Sequence, residues 1–330
     1  MPILRACLMS DLDTIISQGS GHVYCMGIGG FGMAGLAVLL KARGFEVTGS
    51  DLVESRLTEW VRGHGIEVDH EHRPDHIDTN TRCVVRSSAV PEHHPVVQRA
   101  RELTRPVFLR GETLAGLTRG VSTIAVAGTH GKTTTSAMIA QVLTTAGLEP
   151  GFCIGGEIDA LDGVADAGAG RIMVVEADES DGTLVHYRPQ HAVITNIEFD
   201  HMEYFDDEAA FLDCFRTFVE HTDGTLYYCG DDPHAESVCE SHEASISYGF
   251  SEGNQFKAVI VDETFDSTIF ELFCGARVGR VRLPVPGRHN VLNALAAMAV
   301  GFEHGLDANA LRDGLEGFQP ARRRFDTFLA

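Results

Sequence analysis

The sequence predicts two consecutive α/β domains, the second carrying a small antiparallel β patch. Three observations carry that expectation. Apolar, strand-like runs end in glycine turns and lead into segments with helical spacing. The alternation starts twice, near residues 22 and 122. From about 245 to 285, four β-rich runs follow one another with no helical segment between them. A chain of 330 residues suits two units of ~100–200 residues each.

In the first half, "HVYCMGIGG" reads as a buried strand entering a glycine turn. "MAGLAVLLKARG" follows with helical spacing and stops at Gly44, and "FEVTGSD" is a second strand ending at Asp51, which completes a β-α-β unit. "CVVRSSA" adds a strand and residues 94–103 a helix, and "PVFLRGETLAGLTRG" closes a domain placed at 1–120. The second domain, 121–330, opens with strand, loop and helix in "STIAVAGTHGKTTTSAMIAQVLTTAG". "RIMVVEADESD" and "HAVITNIEFDH" are strands with polar C-terminal ends, 207–222 is helical, and "GTLYYCGDD" is a further strand. "ASISYGF", "FKAVIVDE", "STIFELF" and "VGRVRLPV" make up the antiparallel patch. "NVLNALAAMAVGFEHG" and "DANALRDGLEGF" then form two helices.

Composition narrows the function classes. A formal charge of −21 argues against nucleic acid and anionic membranes as partners. It also requires that any anionic ligand be held by local devices: backbone N–H groups, a few cations, or metal ions. No run of 18 apolar residues occurs, so no membrane span is expected. "MPILRACLMSDLDTIISQ" has one basic residue, with acidic residues soon after its short apolar run, unlike a signal peptide. The eight cysteines, at 7, 25, 83, 153, 214, 229, 239 and 274, include no C-x-x-C pair and fit reduced thiols in a cytoplasmic protein. Oligomeric state is left open.

Gly27, Gly29 and Gly32 satisfy G-x-G-x-x-G between a strand and a helix, with Asp51 about 20 residues further on. Glycines let the backbone approach a diphosphate, the helix start offers free N–H groups, and Asp51 can accept from a ribose or base. The first domain therefore reads as Rossmann-like. Alone, this pattern says dinucleotide, with NAD the default and a turn that serves only packing as the alternative. Gly30 and Met33 are not demanded by it.

The second turn, "AGTHGKTTT", keeps the chemically needed end of a P-loop. A full G-x-x-x-x-G-K-[ST] loop would place its first glycine at 126, where the chain has Val126. Gly131 leaves room for phosphate, Lys132 can reach the β/γ-phosphates, and the Thr133 hydroxyl can ligate Mg²⁺. The strand ends deliver Glu176 and, in "NIEFDH", Asn196, Asp200 and His201 to one edge of a parallel sheet, where a Mg²⁺ site is expected. His70, His72 and His76 of "DHEHRPDH" read as surface residues.

"GIGGFGM", "TGSD", "GTHGKTTT", "EADESD", "TNIEFDHM", "PGRHNVLNA" and "RRRFD" occur in the order found in Mur ligases, and from about residue 21 onward the chain resembles that family. The resemblance implies a first domain that holds the UDP of UDP-N-acetylmuramate, not NAD. It implies a central, P-loop-type ATPase domain and, normally, a third Rossmann-like domain that brings in the amino acid. The implied reaction is attack of the muramyl carboxylate on the γ-phosphate of ATP, then displacement of phosphate from the acyl phosphate by the amine of L-alanine. By resemblance, catalysis falls to Lys132, Glu176, His201 and Arg324. Mg²⁺ falls to Thr133, Glu176 and His201. ATP is held by Gly128, Thr129, His130, Gly131, Lys132, Thr133 and Thr134 of the loop, with Asn290 and Asn293. The UDP-sugar is held by Gly27, Gly29, Gly30, Gly32, Met33 and Asp51, with Ser87, Ser88 and Arg110. The chain stops at "RRRFDTFLA", so the expectation is that the C-terminal ligase domain is absent and turnover incomplete.

Two departures stand out. "QPAR" places Pro320 and Arg322 where the family has a glycine-rich approach to its paired arginines. "RGETL" has Gly111 and Thr113 where alanine and methionine are usual. Three alternatives stay open: a ligase attaching a recycled murein peptide to the same UDP-sugar, toward which "GFCIGG" and "VHYRP" lean; a non-catalytic UDP-sugar and ATP-binding protein; and an NAD-dependent oxidoreductase.

Overall fold

The computed structural model describes residues 2–200 and 204–320. They divide into two units: one reaches to Arg119 and includes Val164–Ala167, and the other holds Gly120–Gly163 and the residues from Gly168 onward.

The first unit contains α1 (Pro2–Gln18), β1 (His22–Met26), α2 (Phe31–Ala42), β2 (Glu46–Ser50), α3 (Arg56–Gly63), β3 (Glu67–Asp69), β4 (Thr81–Arg86), α4 (Pro95–Glu102), β5 (Val107–Leu109) and α5 (Arg110–Leu117). Its five strands lie in the order β3-β2-β1-β4-β5, and every pair is parallel. Val23, Tyr24, Cys25 and Met26 of β1 are all buried. A strand apolar on both faces needs a layer on each side, which the crossover helices supply. Local chemistry fixes the helix starts. A reciprocal capping box of Ser55 and Thr58 opens α3. His94 accepts from Val96 N–H at 3.2 Å just ahead of Pro95 in α4.

The second unit opens with β6 (Ser122–Ala127), α6 (Lys132–Thr145) and β7 (Gly151–Ile158). The chain next forms β8 (Gly163–Asp166), whose residues from Val164 belong to the first unit. The second unit resumes with β9 (Ile172–Glu176), β10 (His191–Ile194), α7 (Glu208–Glu220), β11 (Leu226–Cys229), α8 (Pro233–Cys239) and β12 (Ser245–Gly249). It ends with β13 (Phe256–Glu263), β14 (Thr268–Cys274), β15 (Ala276–Leu283), α9 (Arg288–Glu303) and α10 (Ala308–Glu316). The sheet order within the unit is β15-β14-β13-β12-β11-β10-β6-β9-β7. From β12 to β7 neighbouring strands are parallel, and β13, β14 and β15 form an antiparallel meander. The two α/β units and the antiparallel patch are as the sequence predicts.

One element differs. "ASISYGF", expected in the antiparallel patch, becomes β12 and pairs in parallel with β11 from Leu226↔Ser245 to Cys229↔Tyr248. The seven-residue α8 carries the chain back across the sheet, and a strand–helix–strand crossover gives parallel neighbours. The antiparallel patch therefore starts only at β13.

The core of the second unit lies where α6, α9 and α10 cover the sheet. Small residues allow close approach: Ala294, Ala296, Ala297 and Ala299 of α9 are buried, and a Cβ on Gly314 of α10 would lie 2.9 Å from Val142 Cα of α6. Among the described residues, no helix is long and apolar enough to cross a membrane, and the described cysteines are free thiols.

Candidate functional site

In the second unit, β6 runs into the loop 128–131 and then into α6. Gly128 has φ +126° and Gly131 φ +85°. A Cβ on Gly128 would lie 2.2 Å from Thr195 Oγ1, and one on Gly131 would lie 2.6 Å from Asn293 Oδ1. Backbone angle and space both select glycine here. The loop is pinned by the segment leaving β10. Thr129 N–H donates to Asn196 O at 3.0 Å and His130 N–H to Asn196 Oδ1 at 2.9 Å. Asn196 Nδ2 and Thr195 Oγ1 both donate to His130 O, at 2.9 and 2.6 Å. Thr129 Oγ1 donates to Glu198 O at 2.8 Å. The amides of Lys132, Thr133 and Thr134, in the first turn of α6, have no acceptor within the helix. A helix start of this kind leaves N–H groups free to meet an anion.

The loop opens onto a cavity of about 610 Å³, within the range that holds a nucleotide-sized ligand. His130, Gly131, Thr133 and Thr134 line one side, and Asn290 and Asn293 of α9 another. Asn293 is nearly buried and accepts from Thr135 Oγ1 at 3.1 Å, while Asn290 Nδ2 donates to Pro286 O at 2.7 Å. Thr195, Tyr248, His289 and Phe318 also line the cavity; Thr195 and His289 fall within "TNIEFDHM" and "PGRHNVLNA" without being singled out there, and Tyr248 and Phe318 lie in none of the seven motifs. Tyr248 is buried, with its hydroxyl donating to Ile194 O at 3.2 Å. Its signal lies in "ASISYGF", whose β-rich pattern points to the antiparallel patch and so away from the cavity.

Lys132 is placed at the loop but points back onto it. Its Nζ donates to Gly128 O at 2.7 Å, Thr129 O at 3.1 Å and Glu179 Oε1 at 2.9 Å. Glu179 is fully buried, its Oε2 has no partner, and burial pushes its carboxyl up to about 7 against the opposing pull of Lys132. The motif "EADESD" contains Glu179, yet the strand-end argument points only to its first acid, Glu176. Glu176, at the end of β9, accepts from Gly155 N–H at 2.8 Å. With Thr133 it offers oxygen donors, the class that Mg²⁺ prefers. His201 and Arg324, the other residues expected to serve the metal and the phosphates, lie outside the described residues. No group of three or more His, Cys, Asp or Glu able to hold a metal occurs among the described residues.

In the first unit, the β1–α2 turn brings most of the predicted UDP-sugar residues together. Gly27 has φ +78°, and its N–H and that of Ile28 donate to Ser50 O at 2.8 and 3.1 Å. Asp51 accepts from Gly29 N–H at 2.8 Å and from Val53 N–H at 3.0 Å, so its carboxylate also holds the turn. Ser87 abuts Gly27: its Cβ is 3.2 Å from where a Gly27 Cβ would lie. Arg110 lies over the start of α2, its Cδ 3.0 Å from where a Gly32 Cβ would lie. Gly30 has open space: the nearest atom to an added Cβ is Gly27 O, at 3.5 Å. Ser88 is exposed. Met33 requires correction: its side chain is 2 % exposed and packs into the core face of α2, so only its backbone is offered at the helix start.

The histidine-rich stretch also requires correction. His70 is exposed, but His72 and His76 are partly buried beside this turn. Ser50 Oγ is 2.5 Å from His72 Nδ1, and Tyr24 O–H donates to Ser50 Oγ at 2.6 Å. His76 Nδ1 lies 2.8 Å from the Tyr24 hydroxyl. Burial, and next the neighbouring His94, lower the His72 pKa, which favours a neutral ring. Spacing alone could not show that this stretch folds back onto the end of β2.

Comparison with known proteins places both units in one family. The model described as Mur ligase family, catalytic domain, matches residues 22–121, and that of the Mur ligase middle domain matches residues 126–301. A UDP-N-acetylmuramate–L-alanine ligase of Carboxydothermus hydrogenoformans is 41% identical over 307 residues, covering 92% of this chain and 66% of the relative. The structure of a UDP-N-acetylmuramate–alanine ligase from Thermotoga maritima superposes with a TM-score of 0.83 at 28% identity, over 92% of this chain and 70% of that one. The UDP-N-acetylmuramate:L-alanyl-γ-D-glutamyl-meso-diaminopimelate ligase of Neisseria meningitides gives a TM-score of 0.83 at 30% identity, over 92% of this chain and 100% of that one. The chain spans about two thirds of the length of the curated relatives it matches. With both domain models matched in order and the curated relatives near 40% identity, the chain belongs to the Mur ligase family.

Proposed function

We propose that this chain binds UDP-N-acetylmuramate on residues 1–120 and ATP on residues 121–330, and serves amide-bond formation between that sugar's carboxylate and L-alanine. The observation that carries the reading is the loop 128–131, with the first turn of α6, opening on a cavity walled by Asn290 and Asn293. The names of the curated relatives support the sugar and the amino acid.

The chemistry follows from the charges. A muramyl carboxylate oxygen attacks the γ-phosphorus, the bond from that phosphorus to the bridging oxygen breaks, and ADP leaves. The alanine amine, after losing a proton, attacks the acyl carbon. The bond to the phosphate oxygen breaks, inorganic phosphate departs, and the nitrogen gives its remaining excess proton to solvent. The central difficulty is an anion approaching a polyanion. The amides of residues 132–134 and the Lys132 ammonium answer it by placing positive potential where negative charge concentrates. Mg²⁺, held by Thr133 and Glu176 together with His201, would add charge neutralisation at the phosphates. Asn290 and Asn293 wall the nucleotide, and Arg324 serves its phosphates. In the first unit, the α2 start receives the diphosphate, with Arg110 and Ser87 beside it.

A second reading, ligation of a preformed peptide, is favoured by the likeness to the Neisseria structure. One experiment separates the two. The product of the whole reading frame is supplied with ATP, Mg²⁺ and UDP-N-acetylmuramate, and with either L-alanine or L-alanyl-γ-D-glutamyl-meso-diaminopimelate, and ADP and product mass are followed. Product with L-alanine is expected. Product only with the tripeptide replaces the reading with the second one. Failure of the 330 residues to bind either UDP-N-acetylmuramate or ATP by calorimetry refutes both.

A further inference from the structure

We propose that Glu179 is a positioning residue that holds Lys132 away from the phosphate site of the empty loop, and that nucleotide binding transfers Lys132 to the phosphates while Glu179 takes up a proton. The inference rests on the reading that the second unit binds a nucleotide.

An ammonium group has three N–H donors and no more. In Lys132 all three have acceptors: Gly128 O, Thr129 O and Glu179 Oε1, at 2.7, 3.1 and 2.9 Å. No donor remains for a phosphate until one of these is released. Two of the acceptors are neutral carbonyls of the loop, which move with the cradle. The third is an anion, and an arriving phosphate competes with it directly for the same cation.

Glu179 is poorly placed to remain charged once Lys132 leaves. Its side chain is fully buried, and Oε2 already lacks a partner. Water cannot solvate it there, and a carboxylate in such a setting takes a proton in place of keeping its charge. Burial holds the carboxyl up to about 7 even with Lys132 in contact. Losing that contact and gaining phosphate charge nearby both act in the same, upward direction. The groups that face Glu179 offer no substitute. Asp178, beside it in the chain, repels it, and Cys214 of α7 is a thiol held up to about 12 by burial and so neutral. The proton comes from solvent, so the step balances: one proton enters as the Lys132–Glu179 ion pair opens.

The test is calorimetric titration of the 330-residue chain with Mg·ADP at pH 8 in two buffers of different ionisation enthalpy, which counts protons taken up per nucleotide bound. Wild type and Glu179→Gln are compared, so that protonation of the nucleotide itself cancels. The wild type is expected to take up more protons than the variant, by a difference approaching one. Its affinity should fall, relative to the variant, by close to tenfold per pH unit above pH 7. Glu179→Asp should retain the coupling, which a purely structural role for the side chain would not require. Equal proton counts and equal pH slopes in wild type and Glu179→Gln overturn the inference while leaving the nucleotide site standing. Binding of Mg·ADP by neither protein overturns the nucleotide reading and this inference with it. Should Glu179→Gln not fold, the wild type alone decides: no proton uptake at pH 8 overturns the inference.

Discussion

Replacing Gly131 by alanine puts a methyl group on a residue at φ +85°, with its Cβ 2.6 Å from Asn293 Oδ1. The left-handed backbone costs about 1–2 kcal/mol for a residue bearing a Cβ. Asn293 must also withdraw, which breaks its bond from Thr135 Oγ1. Thr135 is fully buried, so its hydroxyl is left without a partner at about 1–3 kcal/mol. The stiffer unfolded chain returns about 0.4–1 kcal/mol. Mid-range values leave a net loss of roughly 2–3 kcal/mol. Gly30→Ala is the matched control, because Gly30 has φ −78° and its nearest neighbour to an added Cβ is at 3.5 Å. That variant should unfold within about 0.5 kcal/mol of wild type. Urea denaturation followed by far-UV circular dichroism, compared at equal slope, measures both. If Gly131→Ala unfolds within about 0.5 kcal/mol of wild type, or Gly30→Ala loses as much as Gly131→Ala, then the geometric account of the two loops is wrong.

Four further outcomes are expected. Gly30→Val should weaken UDP-N-acetylmuramate binding in calorimetry without lowering the melting temperature, because the protein has room for the side chain and the ligand does not; unchanged affinity would move the diphosphate elsewhere. Lys132→Ala should slow the phosphoryl-transfer step by at least ~100-fold in single-turnover assays, and Glu176→Ala should raise the Mg²⁺ concentration needed for half-maximal ADP release; an unchanged requirement would remove Glu176 from the metal. His191 is neutral in the fold because burial, and next the nearby His304, lower its pKa to about 4 from 6.5. The unfolded chain therefore binds the extra proton between pH 6.5 and 4, so this contribution to stability is complete above pH 6.5 and is lost as pH falls through that window. His191→Gln should flatten that part of the melting-temperature profile, and an unaltered profile would assign the acid sensitivity to other groups.

Much of the fold is legible in the sequence because it is written at short range. Each strand–turn–helix passage, from "HVYCMGIGG" into α2 and from "STIAVAGTHGKTTT" into α6, carries its own periodicity and its own glycines. The loop residues 128–134 and the turn residues Gly27 to Gly32 can be found for the same reason. Met33 cannot, because motif membership says nothing about which face of α2 a side chain occupies, and the apolar stripe of that helix turns it inward. His72 and His76 mislead in the opposite sense: a polar stretch between elements looks solvated until its return onto Ser50 and Tyr24 is known.

The sequence by itself determined the two glycine cradles, the helices that follow them, and the cation that a phosphate-binding loop needs, because backbone angle and helix start depend on neighbours in the chain. Only the tertiary structure decided what meets those cradles. Sheet order brings β10 beside β6, and with it Thr195 and Asn196 onto the loop. It brings β9 to the other side of β6, and the segment beyond it carries Glu179 to Lys132. Parallel pairing of β12 with β11 keeps Tyr248 in the sheet, where it lines the cavity. These partners lie 47 or more residues from the groups they touch, and such separations leave no periodic trace in a sequence: the crossovers that close them are chosen by burial of whole sheet faces, not by any local spacing.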